Sequence, residues 1–216
     1  MTRLLYLHQA DPTPFLKCFD QSKLYYDADN IGKDDVIYFG GGTDVNPSLY
    51  GEDRHFQSSF PDYFRDNLEQ EIFKRWQGRV KGFLGICRGS QFLTVMNGGK
   101  LIQHIGSHHL VNHMIQTDER EHIEVTSTHH QMMFPFNLPK RDYKIIATSV
   151  ERLSNMYCRG GWLPRYTAED VPVEPEIVWY PMTRTLCIQG HPEYMLVNEK
   201  FPQYCRNLIR ERLLSQ

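Results

Sequence analysis

The stretch FLGICRGSQF, Phe83 to Phe92, sets Cys87 between Gly85 and Gly89, where an apolar run gives way to a helix-like one. Gly-x-Cys-x-Gly has the form of a nucleophile elbow. A sharp strand-to-helix turn strains the central residue, and glycines two positions away on either side let strand and helix approach. In that position the Cys87 sulfur projects above a sheet at a helix N-terminus, where the dipole and free N–H groups favour the thiolate, the reactive form. The N–H of Arg88 lies beside the sulfur, suitably placed for an oxyanion hole. The competing reading is a small buried hydrophobe, the commonest fate of a free cysteine.

The chain around the elbow reads as alternating strands and helices. Leu4 to Leu7 and Val36 to Phe39 are short apolar runs bounded by turn residues, as buried parallel strands are. Between them, Thr13 to Asp20 reads as a short helix with Pro14 in its first turn, and Leu24 to Tyr26 as a strand. From Pro61 to Arg79, the residues Phe64, Leu68, Ile72 and Trp76 recur at helical spacing, which predicts a helix burying that face, with Tyr63 also in the core. Phe83 to Ile86 then reads as strand and Arg88 to Met96 as helix, stopped by Asn97-Gly98-Gly99. Further on, Ile123–Thr126, Lys144–Thr148, Glu176–Tyr180 and Thr185–Gln189 read as strands, the last two joined by a tight turn at Pro181 to Arg184. A final helix, Pro202 to Leu214, buries Cys205, Leu208, Ile209 and Leu213. Alternation first and added strands later predict a three-layer α/β sandwich around a central, mostly parallel sheet. No repeat or Ser/Gly linker breaks the 216 residues, so one domain over 1–216 is expected.

A thiolate nucleophile needs a base, and the base an orienting partner. Gln189-Gly190-His191-Pro192-Glu193 offers both at a strand end. In an extended segment, residues two apart project to the same side, so Glu193 can reach the imidazole of His191. The carboxylate then holds one ring N–H and leaves the other nitrogen for the sulfur.

GICRGSQ, followed about a hundred residues later by QGHPE, resembles the class I glutamine amidotransferase fold, a flavodoxin-like sandwich with a Cys-His-Glu triad. GGTDVNPSLYGE (Gly41–Glu52), NGGKLIQHI (Asn97–Ile105) and STHHQ (Ser127–Gln131) resemble segments of its γ-glutamyl hydrolase branch, of the γ-glutamyl-γ-aminobutyrate hydrolase type. The resemblance implies Cys87 as nucleophile, His191 as general base and then acid, and Glu193 as its orienting partner. It places the oxyanion hole at the N–H groups of Arg88 and Gly42, and the amino-acid end of the substrate at Gln91, Thr128 and His129, partly through main-chain atoms. It implies no cofactor and no catalytic metal. The implied reaction is hydrolysis of a γ-glutamyl amide, glutamine or a γ-glutamyl amine, through a γ-glutamyl thioester. The alternative is a glutaminase subunit delivering ammonia to a separate synthase. A binding module without activity is disfavoured because all three triad residue types are present. Two departures stand out: Gly190 occupies the place of the usual aromatic residue before the histidine, and His104 that of a common acidic residue.

Composition bounds the partners. A formal charge of -2, with 23% charged residues, leaves no electrostatic footprint for nucleic acid, and no apolar run is long enough to span a bilayer. The N-terminal apolar run is too short for a signal-peptide core. Five cysteines, odd in number and without CxxC spacing, predict reduced thiols in a cytoplasm. The expected partner is a small-molecule γ-glutamyl substrate. His104, His108, His109, His113, His122, His129 and His130 are crowded, and His109 and His113 stand four apart. No HExxH occurs and the helix signal there is weak, so solvated or hydrogen-bonded histidines are expected rather than a metal site. Asp44 and Pro47–Glu52 are read as braces of the loop over the site, and Met132, Met133 and Phe134 as core. Gly160 to Trp162 is read as a loop that covers the site.

Overall fold

Apolar residues that alternate along each central strand bury both faces of one sheet, and this builds the three layers. In the computed structural model, which describes residues 1–7, 10–108, 112–161, 170–215 and the main chain of 165–166, the first half supplies β1 (Arg3–Tyr6), β2 (Gln21–Leu24), β3 (Asp35–Phe39) and β4 (Gly82–Ile86). Helix α1 (Tyr63–Trp76) precedes β4 and α2 (Arg88–Met96) follows it. The second half adds β5 (Lys100–Ile102), β6 (His104–Ile105), β7 (His113–Thr117), β8 (His122–Val125), β9 (Met132–Phe134) and β10 (Lys144–Ser149). Strands β11 (Tyr157–Cys158), β12 (Arg165–Tyr166), β13 (Pro175–Tyr180) and β14 (Thr185–Ile188) follow, then α3 (Lys200–Leu208), continued by a π-helical segment over Ile209–Leu214. No helix among the described residues is long and apolar enough to cross a membrane.

Nine strands form the main sheet in the order β2-β1-β3-β4-β14-β13-β10-β7-β8. The pairs from β2 through to β14 are parallel, and those from β14 out to β8 are antiparallel. The parallel half is the part read from the first strands and the elbow, and β13 and β14 form the expected hairpin. On one face Leu4, Val36, Tyr38, Leu84, Ile86, Leu186 and Ile188 pack against Phe15, Phe201, Cys205 and Leu208. On the other, Leu5, Ile37, Phe39, Phe83 and Cys187 pack against Ile72, Phe73, Phe92 and Leu93. Each such side chain, fully buried, contributes about 1.5–3 kcal/mol.

Two local expectations change. The strand near residue 24 runs instead over Gln21–Leu24, and Tyr25–Asp27 is a 3-10 turn. The buried stripe of α1 is rotated by one residue from the predicted one. Arg65, Asp66, Glu69, Ile72 and Phe73 face inward, whereas Tyr63 and Phe64 are 57% and 78% exposed. The cause is Arg88, whose guanidinium, almost wholly buried, pairs with both Asp66 and Glu69. A buried cation needs its counter-ions, and that need outranks the apolar periodicity. Trp76, partly buried, donates from Nε1 to the Tyr25 hydroxyl at 2.7 Å. Met132, Met133 and Phe134 are core, as expected.

Candidate active site

Three loops leave the carboxyl ends of neighbouring parallel strands and converge, the usual place for a site in an open α/β sheet. Gly40 to Gly42 follow β3, Cys87 follows β4, and Gln189 to His191 follow β14. The register pairs Phe39 with Gly85 and Ile86 with Ile188, which sets the three exits side by side.

The elbow has the predicted strain. Cys87 stands at φ 48°, ψ -111°, a region that L side chains rarely adopt, and it immediately precedes α2. Its N–H donates to the Ile188 carbonyl at 2.9 Å, and its own carbonyl accepts from the Ser90 hydroxyl at 2.6 Å. Both flanking glycines are obligatory. A Cβ on Gly85 would lie 2.7 Å from the Gly89 main chain, and one on Gly89 would lie 2.0 Å from the Phe39 carbonyl oxygen. Cys87 is 7% exposed.

The Cys87 side chain lies beside His191 and acts on the imidazole's proton affinity. The ring Nδ1 donates to Glu193 Oε1 at 2.7 Å, which leaves Nε2 for the sulfur. Glu193 reaches the ring through a 3-10 turn over Pro192–Tyr194 rather than through the extended segment expected. Burial opposes a charge on His191, but the interactions with Cys87 and Glu193, with their negative charge, outweigh it and raise its pKa to about 10. The imidazole therefore carries a proton at neutral pH. The histidine backbone is also pinned: its N–H donates to Thr126 Oγ1 at 2.8 Å, and that hydroxyl donates to the His191 carbonyl at 3.0 Å.

Gly41 lies against the other edge of the ring, where a Cβ would come within 3.0 Å of His191 Cε1. The buried guanidinium of Arg65 donates to the carbonyls of Gly40 and Gly41, at 3.0 and 2.9 Å. In a trans peptide N–H and C=O point in opposite directions, so holding the Gly41 carbonyl turns the Gly42 N–H away from Arg65. Arg65 is itself held by Glu69 at 2.7 Å, and Glu69 also pairs with Arg88. One buried charge network thus fixes both the elbow residue Arg88 and the Gly40–Gly42 loop. Asp44 braces that loop as expected, accepting from the Ser59 N–H at 2.7 Å and lying 3.0 Å from His130 Nε2.

The expected substrate-binding residues are nearby with differing exposures. Gln91 Nε2 donates to the Gln131 carbonyl at 3.1 Å, and Thr128 is partly buried. The His129 side chain is buried and turns toward Glu176, so only its main chain is left to meet a substrate. Gly190 opens no extra room: a Cβ there would lie 3.2 Å from the Phe201 ring and 3.1 Å from the Thr126 carbonyl oxygen. The space a side chain at position 190 would take is filled by the Phe201 ring of α3. His104 stacks near His55 and lies 3.5 Å from His130 between Nδ1 atoms. The i, i+4 histidine pair does not form on a helix, because His113 begins β7, and His109 lies outside the described residues. Trp162 lies outside them as well.

Sequence reasoning missed three contributors. Tyr194, 64% exposed, stacks on the His191 ring with centroids 4.4 Å apart and planes 5° apart. Its only signal was adjacency to Glu193. Thr126 and Arg65 carry no local signal, since each acts on residues far along the chain.

Comparison with known proteins agrees with this architecture. A protein assigned as a GMP synthase component from Thermoplasma acidophilum superposes with a TM-score of 0.61 at 13% identity, over 99% of this chain and 92% of that one. PurLQS from Thermotoga maritima superposes with a TM-score of 0.59 at 12% identity, over 97% and 98% of the two chains. In sequence, the glutamine amidotransferase-like YvdE homologue of Lactococcus lactis subsp. cremoris is 45% identical over 69 residues, 32% of this chain and 37% of that relative's length. The Peptidase C26 family description matches residues 14–193, from the first helical turn through Glu193. On that match and that fold, the chain belongs to the Peptidase C26 family, within the class I glutamine amidotransferase-like proteins.

Proposed function

We propose that the protein hydrolyses a γ-glutamyl amide, glutamine or a γ-glutamyl amine, with Cys87 as nucleophile. The observation that carries this reading is the strained Cys87 beside His191, which is in turn held by Glu193. The family membership and the glutamine amidotransferase-like relative support the class of substrate.

In this mechanism the Cys87 sulfur attacks the γ-carboxamide carbon. The carbonyl electron pair moves to oxygen, and the resulting oxyanion accepts from the N–H groups of Arg88 and Gly42. His191 passes its proton to the leaving nitrogen, the C–N bond breaks, and the amine departs, leaving a γ-glutamyl thioester. His191, now neutral, takes a proton from water as the water attacks the thioester carbon. Collapse releases glutamate and restores the sulfur and the imidazolium. The main chain at Thr128 and His129, together with Gln91, would hold the α-amino and α-carboxylate groups.

A second reading is favoured by the likeness to a protein assigned as a GMP synthase component. There the same chemistry would release ammonia for a separate synthase. The experiment is a screen of glutamine and γ-glutamyl amines for glutamate release by the protein alone. Turnover of an amine-substituted substrate without any partner supports the hydrolase, and activity confined to glutamine plus a synthase supports the alternative. Cys87→Ala is expected to abolish release while keeping the wild-type circular dichroism and Tm within a few degrees. Wild-type turnover from folded Cys87→Ala protein would overturn the proposal.

A further inference from the structure

A second polar cluster, separate from Cys87, His191 and Glu193, is buried between the sheet and the STHHQ segment. It is formed by His108, His129 and Glu176, which are 0%, 3% and 2% exposed. One ligand-capable atom from each lies within 4.8 Å of the others. His108 precedes β7, His129 precedes β9, and Glu176 is in β13, so the cluster joins three parts of the chain distant in sequence.

One ring nitrogen of His129 is already engaged. His129 Nδ1 donates to the Gln131 carbonyl at 2.8 Å, which leaves its Nε2 with a lone pair. That Nε2 lies 4.0 Å from Glu176 Oε1 and has no hydrogen-bond partner among the described residues. His108 Nε2 lies 3.2 Å from Glu174 Oε2 without a hydrogen bond among the described residues, and its Nδ1 stands on the side of Glu176. That Nδ1 lies 3.8 Å from Glu176 Oε1, again without a hydrogen bond. Glu176 Oε1 also accepts from His113 Nε2 at 3.1 Å, while its Oε2 is buried and unpartnered.

Two imidazole nitrogens and a carboxylate therefore face one another with no hydrogen bond between them among the described residues. Leaving such atoms unpaired in a buried site is costly. A cation at their centre removes the cost. Tetrahedral bonds of about 2.0–2.2 Å to a shared centre set ligand atoms about 3.3–3.6 Å apart, so the 3.8 and 4.0 Å separations present would close by a few tenths of an ångström on binding. At His129 the engaged Nδ1 is the arrangement that fixes tautomer and ring orientation around a metal. Nitrogen donors favour a first-row divalent ion over Ca2+ or Mg2+.

We propose that His108 Nδ1, His129 Nε2 and a Glu176 carboxylate oxygen bind one divalent ion of the Zn2+ class. The role is structural, since the cluster is buried and His129 ties it to STHHQ. A buried water donating to two of the three atoms is the competing occupant.

The test uses the full chain prepared without a histidine tag, stripped with chelator and titrated with Zn2+ and Co2+. One equivalent per chain is expected, with the visible absorption of nitrogen- and oxygen-ligated Co2+. Tm is expected to rise by about 5–10 °C at a hundredfold excess of Zn2+ over Kd. His129→Ala and Glu176→Gln should lose the Co2+ spectrum, while His122→Ala, which alters an exposed histidine, should keep it. Should the two cluster variants fail to fold, the wild-type titration decides alone. No uptake and an unmoved Tm would overturn the proposal, as would a Co2+ spectrum that survives in folded Glu176→Gln.

Discussion

At Cys87 the backbone is held at positive φ without the freedom of a glycine, a strain that typically costs about 1–3 kcal/mol. The fold holds it there because the Ile188 carbonyl and the Ser90 hydroxyl bind its two peptide groups. The residue that depends on it electrostatically is His191, whose pKa rises from 6.5 to about 10. A group whose pKa is raised on folding stabilises fully below its unfolded value, and that stabilisation fades as the pH climbs through the folded one. Urea unfolding at several pH values should therefore show the stability advantage of wild type over His191→Ala shrinking between about 6.5 and about 10. An advantage independent of pH across that window would mean the proton is not linked to folding. Glu193→Gln removes the charge but keeps an acceptor. It should bring the His191 titration, followed by NMR, to a lower pH, and should reduce turnover less than His191→Ala does. Equal and total losses would give Glu193 another role.

At the scale of elements, α1 does more than cover the sheet. Its inward stripe carries Arg65, Asp66 and Glu69, which meet Arg88 of α2 and the carbonyls of the Gly40–Gly42 loop. Breaking such a buried network by deleting one partner costs about 3–5 kcal/mol, so Arg88→Met should lower stability by that amount in denaturant unfolding. Arg65→Lys keeps the charge but cannot hold two carbonyls in one plane. With the Gly42 N–H misaimed, kcat should fall about tenfold or more while KM changes little, given that losing one oxyanion donor outright costs about 10²–10³. A change in KM alone would place the loop in substrate binding instead. The helix was legible in the sequence, but its orientation was not. The spacing of Phe64, Leu68, Ile72 and Trp76 gave the period correctly, and nothing local showed that Arg88, twenty-odd residues on, would claim the neighbouring stripe.

Across the whole molecule, the final helix closes back onto the site. Phe201 fills the space beside Gly190, and the two positions are expected to couple. Gly190→Phe alone should destabilise by about 1–3 kcal/mol through overpacking. In the Phe201→Ala background the same change should cost measurably less, and strictly additive losses would mean the ring can move aside freely. The parallel half of the sheet, the elbow and α2 followed from the sequence because each depends on contacts within a few residues: apolar runs that bury both faces, and glycines at fixed offsets from one cysteine. The same holds for the nearness of His191 to Glu193, two residues apart. The short strands β5, β6, β9, β11 and β12 were not legible, since two or three residues carry no period and pair only because distant chain offers an edge. Likewise the meeting of Cys87 with His191, the Arg65 clamp, the Tyr194 stack and the buried histidine cluster were settled by tertiary structure. Each joins groups whose attraction is strong only at contact distance and out of water, and only the strand order, with β14 beside β4, brings those groups together.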